Sequence, residues 1–538
     1  MNTDRHRFKT KHRMKSSLHL CLSVFICGSV FSSASAAQPA ITHLYPTGAQ
    51  RGTSVDVAVA GTIDGGTKVW ASGKGVAVEA TKGKFKVSVA KDAIPGTYWL
   101  RAYNSEGASV LRPFIVGTLP EVMEKEPNDE AKKAQLFEGP VVVNGKLAKN
   151  GDVDCSAVKL KKGQTLVAAL EAHGTLRSPM DGMLQILSAD GFVLEENNDF
   201  RGLDPQIAFT APRDGTYVAR VYAFPASPDS SIRYFGSDAC VYRLTLTTGA
   251  FADFAMPLAV GPQGKPEVEV RGWNLTPESH RLTFATGDDG FATVYGVNLA
   301  NLLRLRVEPH PVIAKAAGAL KPPFSATGLI EKPGGESRFS IDATKGVALS
   351  LQVESRSLGL AVNPVVRLLG RDGKQLAKAE PGKLNGDTAL SFIPMADGPV
   401  TVEVRDLYAG GGPRHVFLLR VQTPEPDYVL SVAADRFTVI PGKPTTIPVK
   451  VDRKNGFNKE VEIVAEGLPQ GVKLEVLKPK KPDPSTVAIS LSADESASGS
   501  FRLVGTVRDE PKLRRTAHFQ LTEFDATASD LWLTVLKR

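Results

Sequence analysis

The feature that most constrains this chain is a set of turn dipeptides that comes back at a fixed interval. Lys162-Gly163, Asp190-Gly191 and Asp214-Gly215 separate short apolar runs, and Lys345-Gly346, Asp372-Gly373 and Asp397-Gly398 do so again about 183 residues later. Asp-Gly between apolar runs is a strong short-range hairpin signal, because glycine supplies the positive φ that a tight turn needs. The runs between the turns alternate, as in Thr216-Tyr217-Val218-Ala219-Arg220-Val221-Tyr222, and no stretch keeps a helical period. A chain of 538 residues built this way is expected to be all-β, a string of β-sandwich domains.

The remaining segments read the same way. Residues 38–118 hold the alternating Val55, Val57 and Val59 and a strand at 96–102 reached through a Pro-Gly turn, the pattern of an immunoglobulin-like sandwich. Trp70 and Trp99 are expected in packing there rather than as ligand platforms. Residues 249–320 form a small immunoglobulin-like sandwich after a Pro/Gly-rich junction. Residues 321–423 repeat the module at 119–248, and 424–523 form a last immunoglobulin-like sandwich. The segment 524–538 is read as a C-terminal tail strand that docks on an earlier domain. The lysines of 478–484 belong to a solvated loop.

Residues 1–36 read as a secretory signal peptide: basic residues through Lys15, an apolar run from 18 to 31, and Ala34-Ser35-Ala36 as the cleavage site. The formal charge of +8 sits largely in this leader, and removing its surplus leaves about +3, too little to argue for nucleic acid. The apolar run is short for a membrane span, and no later stretch reaches that length. The expected location is outside the cytoplasm: secreted, periplasmic or on the cell surface.

Two acidic clusters flank a probable strand at 141–147. One is Glu124-Lys125-Glu126-Pro127-Asn128-Asp129-Glu130; the other is Gly151-Asp152-Val153-Asp154-Cys155. A strand that folds them together brings carboxylate and amide oxygens to one place, as a hard cation such as Ca²⁺ requires. The second copy keeps the turns but has Gly335, Ser337 and Arg338 opposite Asp152, Asp154 and Cys155. The turns serve the fold, so the acids are expected to serve something else.

Residues 124–248 resemble the bacterial pre-peptidase C-terminal (PPC) domain. Glu126-Pro127-Asn128-Asp129, Gly151-Asp152-Val153-Asp154, Lys162-Gly163-Gln164, Asp190-Gly191, Asn198-Asp199, Asp214-Gly215-Thr216-Tyr217 and Tyr242-Arg243-Leu244 follow in the family's order. The resemblance implies a jelly-roll-like sandwich, so that the chain holds two PPC-like and up to three immunoglobulin-like domains, the second PPC-like copy being degenerate. It also implies a structural Ca²⁺ held by Glu124, Glu126, Asn128, Asp129, Asp152 and Asp154. First and last jelly-roll strands often run close, so Cys155 and Cys240 can form a disulfide; two buried free thiols are the alternative. Tyr217, Tyr222, Phe224, Tyr234 and Phe235 surround a Pro/Ser-rich loop and are a candidate face for an extracellular polysaccharide or protein, with core capping as the alternative.

Catalytic motifs are missing. The histidines beyond the leader, His43, His173, His280, His310, His415 and His518, are scattered. There is no His-Glu-x-x-His spacing and no Gly-x-Ser-x-Gly elbow. The function expected is that of an exported, non-enzymatic binding or spacer protein. The alternatives are an accessory of a separately encoded secreted peptidase or glycosidase, and a hydrolase with an unrecognised site.

Overall fold

The computed structural model describes residues 37–537 apart from 229, 231–232, 262–267, 288–289, 315–316 and 479–482. The leader at 1–36 and most of the lysine-rich loop at 478–484 lie outside the described residues. The fold is all-β, a series of β-sandwiches, as the alternation and the turns require. The helical segments described are at most four residues long, such as His173–Leu176. No helix among the described residues is long and apolar enough to cross a membrane.

The repeat is visible strand for strand. In the first copy one sheet runs Glu121–Met123, Val141–Lys146, Val241–Thr247, Thr165–Glu171, Gln206–Thr210. The facing sheet runs Gln135–Phe137, Asp154–Leu160, Gly215–Pro225, Met180–Ser188, Val193–Asn197. The second copy has the same two orders, with Val312–Ile313, Phe324–Leu329, Val416–Gln422, Leu349–Glu354, Thr388–Phe392 facing Ala319–Leu320, Glu336–Ala343, Gly398–Asp406, Pro364–Leu369, Gln375–Ala379. Register agrees too. Leu160 pairs with Gly215 and Asp154 with Val221; Ala343 pairs with Gly398 and Ser337 with Val404. Asp154 and Ser337 therefore occupy the same position.

Acids common to both copies hold the fold. Asp214 accepts the Lys162 N–H at 2.8 Å and Asp397 the Lys345 N–H at 2.7 Å. Asp204 accepts N–H groups of Ala172, His173 and Gly174, and Asp387 those of Ser355 and Arg356. Each satisfies backbone donors that a tight turn leaves without a partner. Between the sheets lie Leu166, Leu170, Leu184, Ile186, Val221 and Leu244, all buried, each worth roughly 1.5–3 kcal/mol on removal from water.

The first sandwich pairs the sheet of Ala40–Tyr45, Ser54–Thr62, Lys84–Val89 and Val76–Thr81 with that of Gly48–Gln50, Arg112–Gly117, Gly96–Asn104 and Lys68–Ala71. The last pairs Asp427–Ser431, Thr445–Lys454, Thr486–Ser492 and Lys473–Val476 with Arg436–Val439, Leu531–Val535, Ser498–Val507 and Glu462–Glu466. Leu531–Val535 is therefore not an appended tail strand. It is an interior strand, buried at all its positions, and it completes the last sandwich.

The string folds back on itself. Arg101 of the first sandwich makes a 2.6 Å ion pair with Asp435 of the last, and both side chains are buried. Trp532 packs its ring against Trp70 and Tyr103, and Phe524 meets Trp99 edge-on at 5.0 Å. The two tryptophans of the first sandwich thus fill its contact with the C-terminal segment that carries Phe524 and Trp532.

Candidate metal centre

The site forms where the linker leaving the first sandwich crosses the first repeat copy. Glu121–Met123 adds in parallel to Val141–Lys146, so the following residues are carried to the start of Asp154–Leu160. Asn128 is pinned there: its N–H donates to Glu126 Oε2 at 2.9 Å, and its carbonyl accepts the Cys155 N–H at 3.1 Å. The turn at 148–152 brings in Asp152, whose carboxylate accepts the Ala148 N–H. One ligand oxygen each from Glu126, Asp152 and Asp154 then lie within 4.8 Å of one another.

Asp152, Asp154 and Asn128 are almost wholly buried, and Glu126 is exposed. Asp154 Oδ1 and Asn128 Oδ1 are buried acceptors without a hydrogen-bond partner among the described residues. An acceptor in that state costs about 1–3 kcal/mol, which sets these two oxygens apart from the satisfied Asp204 and Asp214. The other Asp154 oxygen, Oδ2, accepts from the Tyr242 hydroxyl at 2.7 Å. That hydroxyl also lies 3.0 Å from Glu124 Oε2. Having one proton, it can donate to only one carboxylate at a time.

Burial, and next the charge of Glu124, pushes the Asp154 carboxyl up to about 10. Burial also raises Glu124. Without a cation the buried Glu124–Asp154 pair therefore favours holding a proton; a divalent ion would let the pair ionise. The oxygen donor set suits a hard cation: carboxylates of Glu126, Asp152 and Asp154 with the Asn128 amide beside them.

Two expected members lie outside the trio. Glu124 Oε1 accepts the Lys146 N–H at 2.7 Å and the hydroxyl of Tyr45, from the first sandwich, at 3.3 Å. It backs the site and ties two domains together rather than belonging to the trio. Asp129 is exposed and outside the trio, because the linker turns Asn128 inward and leaves its neighbour in solvent.

Tyr242 and Tyr45 were not among the expected site residues. Tyr242 stands against Gly145, where a Cβ would sit 2.1 Å from the ring. The second copy has the same close pair in Gly328 and Phe417. Where Asp154 is replaced by Ser337, the hydroxyl is gone too. Comparing Tyr242 with Phe417 in the two closing strands is the sequence signal that would have found it.

The disulfide is not formed: Cys155 and Cys240 are both free and buried. Cys155 faces outward with Ala157 and Val218 under the linker, whereas Cys240 sits in the core between the sheets. The aromatic face is also smaller than expected. Tyr217 is in the core against Phe209, and Phe235 packs on that core. Phe224 and Tyr234 remain at the surface, Tyr234 exposed, and both pack on Tyr222, which is itself buried; the Tyr222 and Tyr234 centroids are 4.6 Å apart.

No family model and no curated protein matches the chain. Similar solved structures include the pre-peptidase C-terminal domain of a Bacillus anthracis collagenase, at 13% identity over 23% of this chain and 100% of that one, TM-score 0.17. Another is the M60 catalytic domain with CBM51-1 and CBM51-2 domains of Clostridium perfringens ZmpB, at 10% identity over 72% of this chain and 54% of that one, TM-score 0.13. A third is SGBP-B of the Bacteroides ovatus mixed-linkage glucan utilization locus, at 8% identity over 71% and 76%, TM-score 0.15. Likenesses this slight carry no functional argument.

Proposed function

We propose that this is an exported binding or spacer protein of the cell surface or matrix, in which a structural Ca²⁺ stiffens the junction between the first sandwich and the PPC-like module. The observation that carries the reading is the pair of buried, unpartnered oxygens, Asp154 Oδ1 and Asn128 Oδ1, beside a trio of converging carboxylates. A divalent ion satisfies such oxygens together and offsets the repulsion among the acids. The linker that supplies Glu126 and Asn128 is the segment joining the two domains, so an ion there fixes their junction. The role is mechanical, and the protein works without catalysing a reaction. Binding falls to the surface aromatics Phe224 and Tyr234, backed by the buried Tyr222, whose faces suit sugar rings or peptide side chains. Limited proteolysis of the full chain tests the ion: chelation is expected to open the bond region around Glu126, and added Ca²⁺ to close it. An equal cleavage rate in both conditions would remove the ion from the account.

A further inference from the structure

The two repeat copies end in matching sheet edges that differ in what they present. Val193–Asn197 and Gln375–Ala379 are each the last strand of a five-stranded sheet, each hydrogen-bonded on one side only among the described residues. Both carry the same irregularity, between Ile186 and Leu187 and between Leu368 and Leu369. An exposed edge of this kind offers a row of N–H and C=O groups to another strand, and is usually blunted by charge or cover.

Neither edge is covered by apolar-poor surface. Phe192 is 70% exposed, and Val193 and Leu194 beside it are exposed as well; on the second copy Leu376 is 47% and Leu384 78% exposed. Charge separates the two. The first edge carries Asp190, Glu195, Glu196 and Asp199 with no lysine or arginine between them. The second carries Arg371, Lys374, Lys378 and Lys383 against Asp372 and Glu380. Lys378 pairs with Glu380 at 2.5 Å, but both are exposed, and such surface pairs exchange for others at little cost.

We propose that the acidic edge Val193–Asn197 of one molecule pairs with the basic edge Gln375–Ala379 of a second copy of this chain, extending the two sheets into one. Charge complementarity selects this occupant: two acidic edges repel, two basic edges repel, and only unlike edges attract. The apolar residues on both sides are then removed from water. A contact between different surfaces of identical molecules is heterologous, so it propagates into a chain of molecules or closes into a ring rather than stopping at a two-fold dimer.

Sedimentation velocity of the full chain over a concentration series, at low ionic strength and constant Ca²⁺, tests the proposal. The wild type is expected to associate with rising concentration, and less so with added salt. Glu195→Lys with Glu196→Lys turns the strand Val193–Asn197 itself from −2 to +2, so that it no longer attracts the basic edge, and Lys374→Glu with Lys378→Glu turns the second edge from +2 to −2. Each pair of swaps alone is expected to weaken association about tenfold or more, while an equimolar mixture of the two variants associates again. The mixture guards against a variant that merely folds badly. A wild type that stays monomeric throughout, variants that associate as well as it does, or a mixture that stays monomeric would each overturn the proposal.

Discussion

Converting the first repeat copy to the solution used by the second is the most informative perturbation. Asp154→Ser with Tyr242→Phe reproduces Ser337 and Phe417 at their structural equivalents. In the cation-free protein Asp154 has a folded-state value of about 10 against an ordinary 3.8. The sign follows from linkage. A raised folded value favours the native state below about pH 4, and that advantage is lost as pH rises toward 10. At pH 7 folding must protonate a carboxyl that the unfolded chain leaves ionised, at a cost of roughly 4 kcal/mol as an upper bound. The double variant removes this term and also an unpartnered buried oxygen, at the expense of one hydrogen bond of about 1 kcal/mol. In chelator, the module's calorimetric transition is therefore expected to be higher in the variant than in the wild type, by up to a few kcal/mol. In Ca²⁺ at about a hundred times the dissociation constant, the wild type alone gains about 2.7 kcal/mol. A variant less stable than the wild type in chelator, or stabilised by Ca²⁺ to the same extent, would refute the reasoning.

Three further outcomes follow from the packing. Gly145→Ala drives a methyl group into the Tyr242 ring, and chemical denaturation should show a loss of about 1–3 kcal/mol. Asp435→Ala leaves the Arg101 guanidinium buried and unpaired; a loss of about 3–5 kcal/mol is expected, with Trp532 fluorescence shifting as the two ends part. Cys155 is pushed up to about 12 by burial and Cys240 is raised by the same cause, so a thiol reagent should label neither in the native protein at pH 8 and both after denaturation. Non-reducing peptide mapping that finds the two linked would contradict that geometry.

The sandwiches were legible because their signals are local. An Asp-Gly turn and a period of two need only neighbouring residues, and the recurrence of Asp214-Gly215 as Asp397-Gly398 marks the repeat. The closure of the chain was not legible. Arg101 and Asp435 are distant in sequence, and an arginine on a strand reads as a solvent residue until its partner is known. In the site, Glu126, Asp152 and Asp154 stood out as acids outside the shared turns. Tyr242 did not, since an aromatic on a closing strand reads as core and its hydroxyl leaves no periodic mark. The misplaced Tyr217 was readable in hindsight from parity: it shares its side of the strand with Ala219 and Val221, whereas Tyr222 and Phe224 take the other. Asp129 lies in solvent beside the inward-turned Asn128, and irregular backbone has no parity to show which of two adjacent residues turns inward.

We propose that Glu126, Asp152 and Asp154 form one cation site at the junction of the first two domains. Isothermal titration of the chelator-treated full chain with Ca²⁺, repeated in buffers of different ionisation enthalpy, measures it most directly. Saturable binding of one ion per chain is expected, with release of a proton from the Glu124–Asp154 pair, and is abolished in the Asp152→Asn, Asp154→Ser variant. An absence of binding heat, or binding that survives unchanged in that variant, would contradict it.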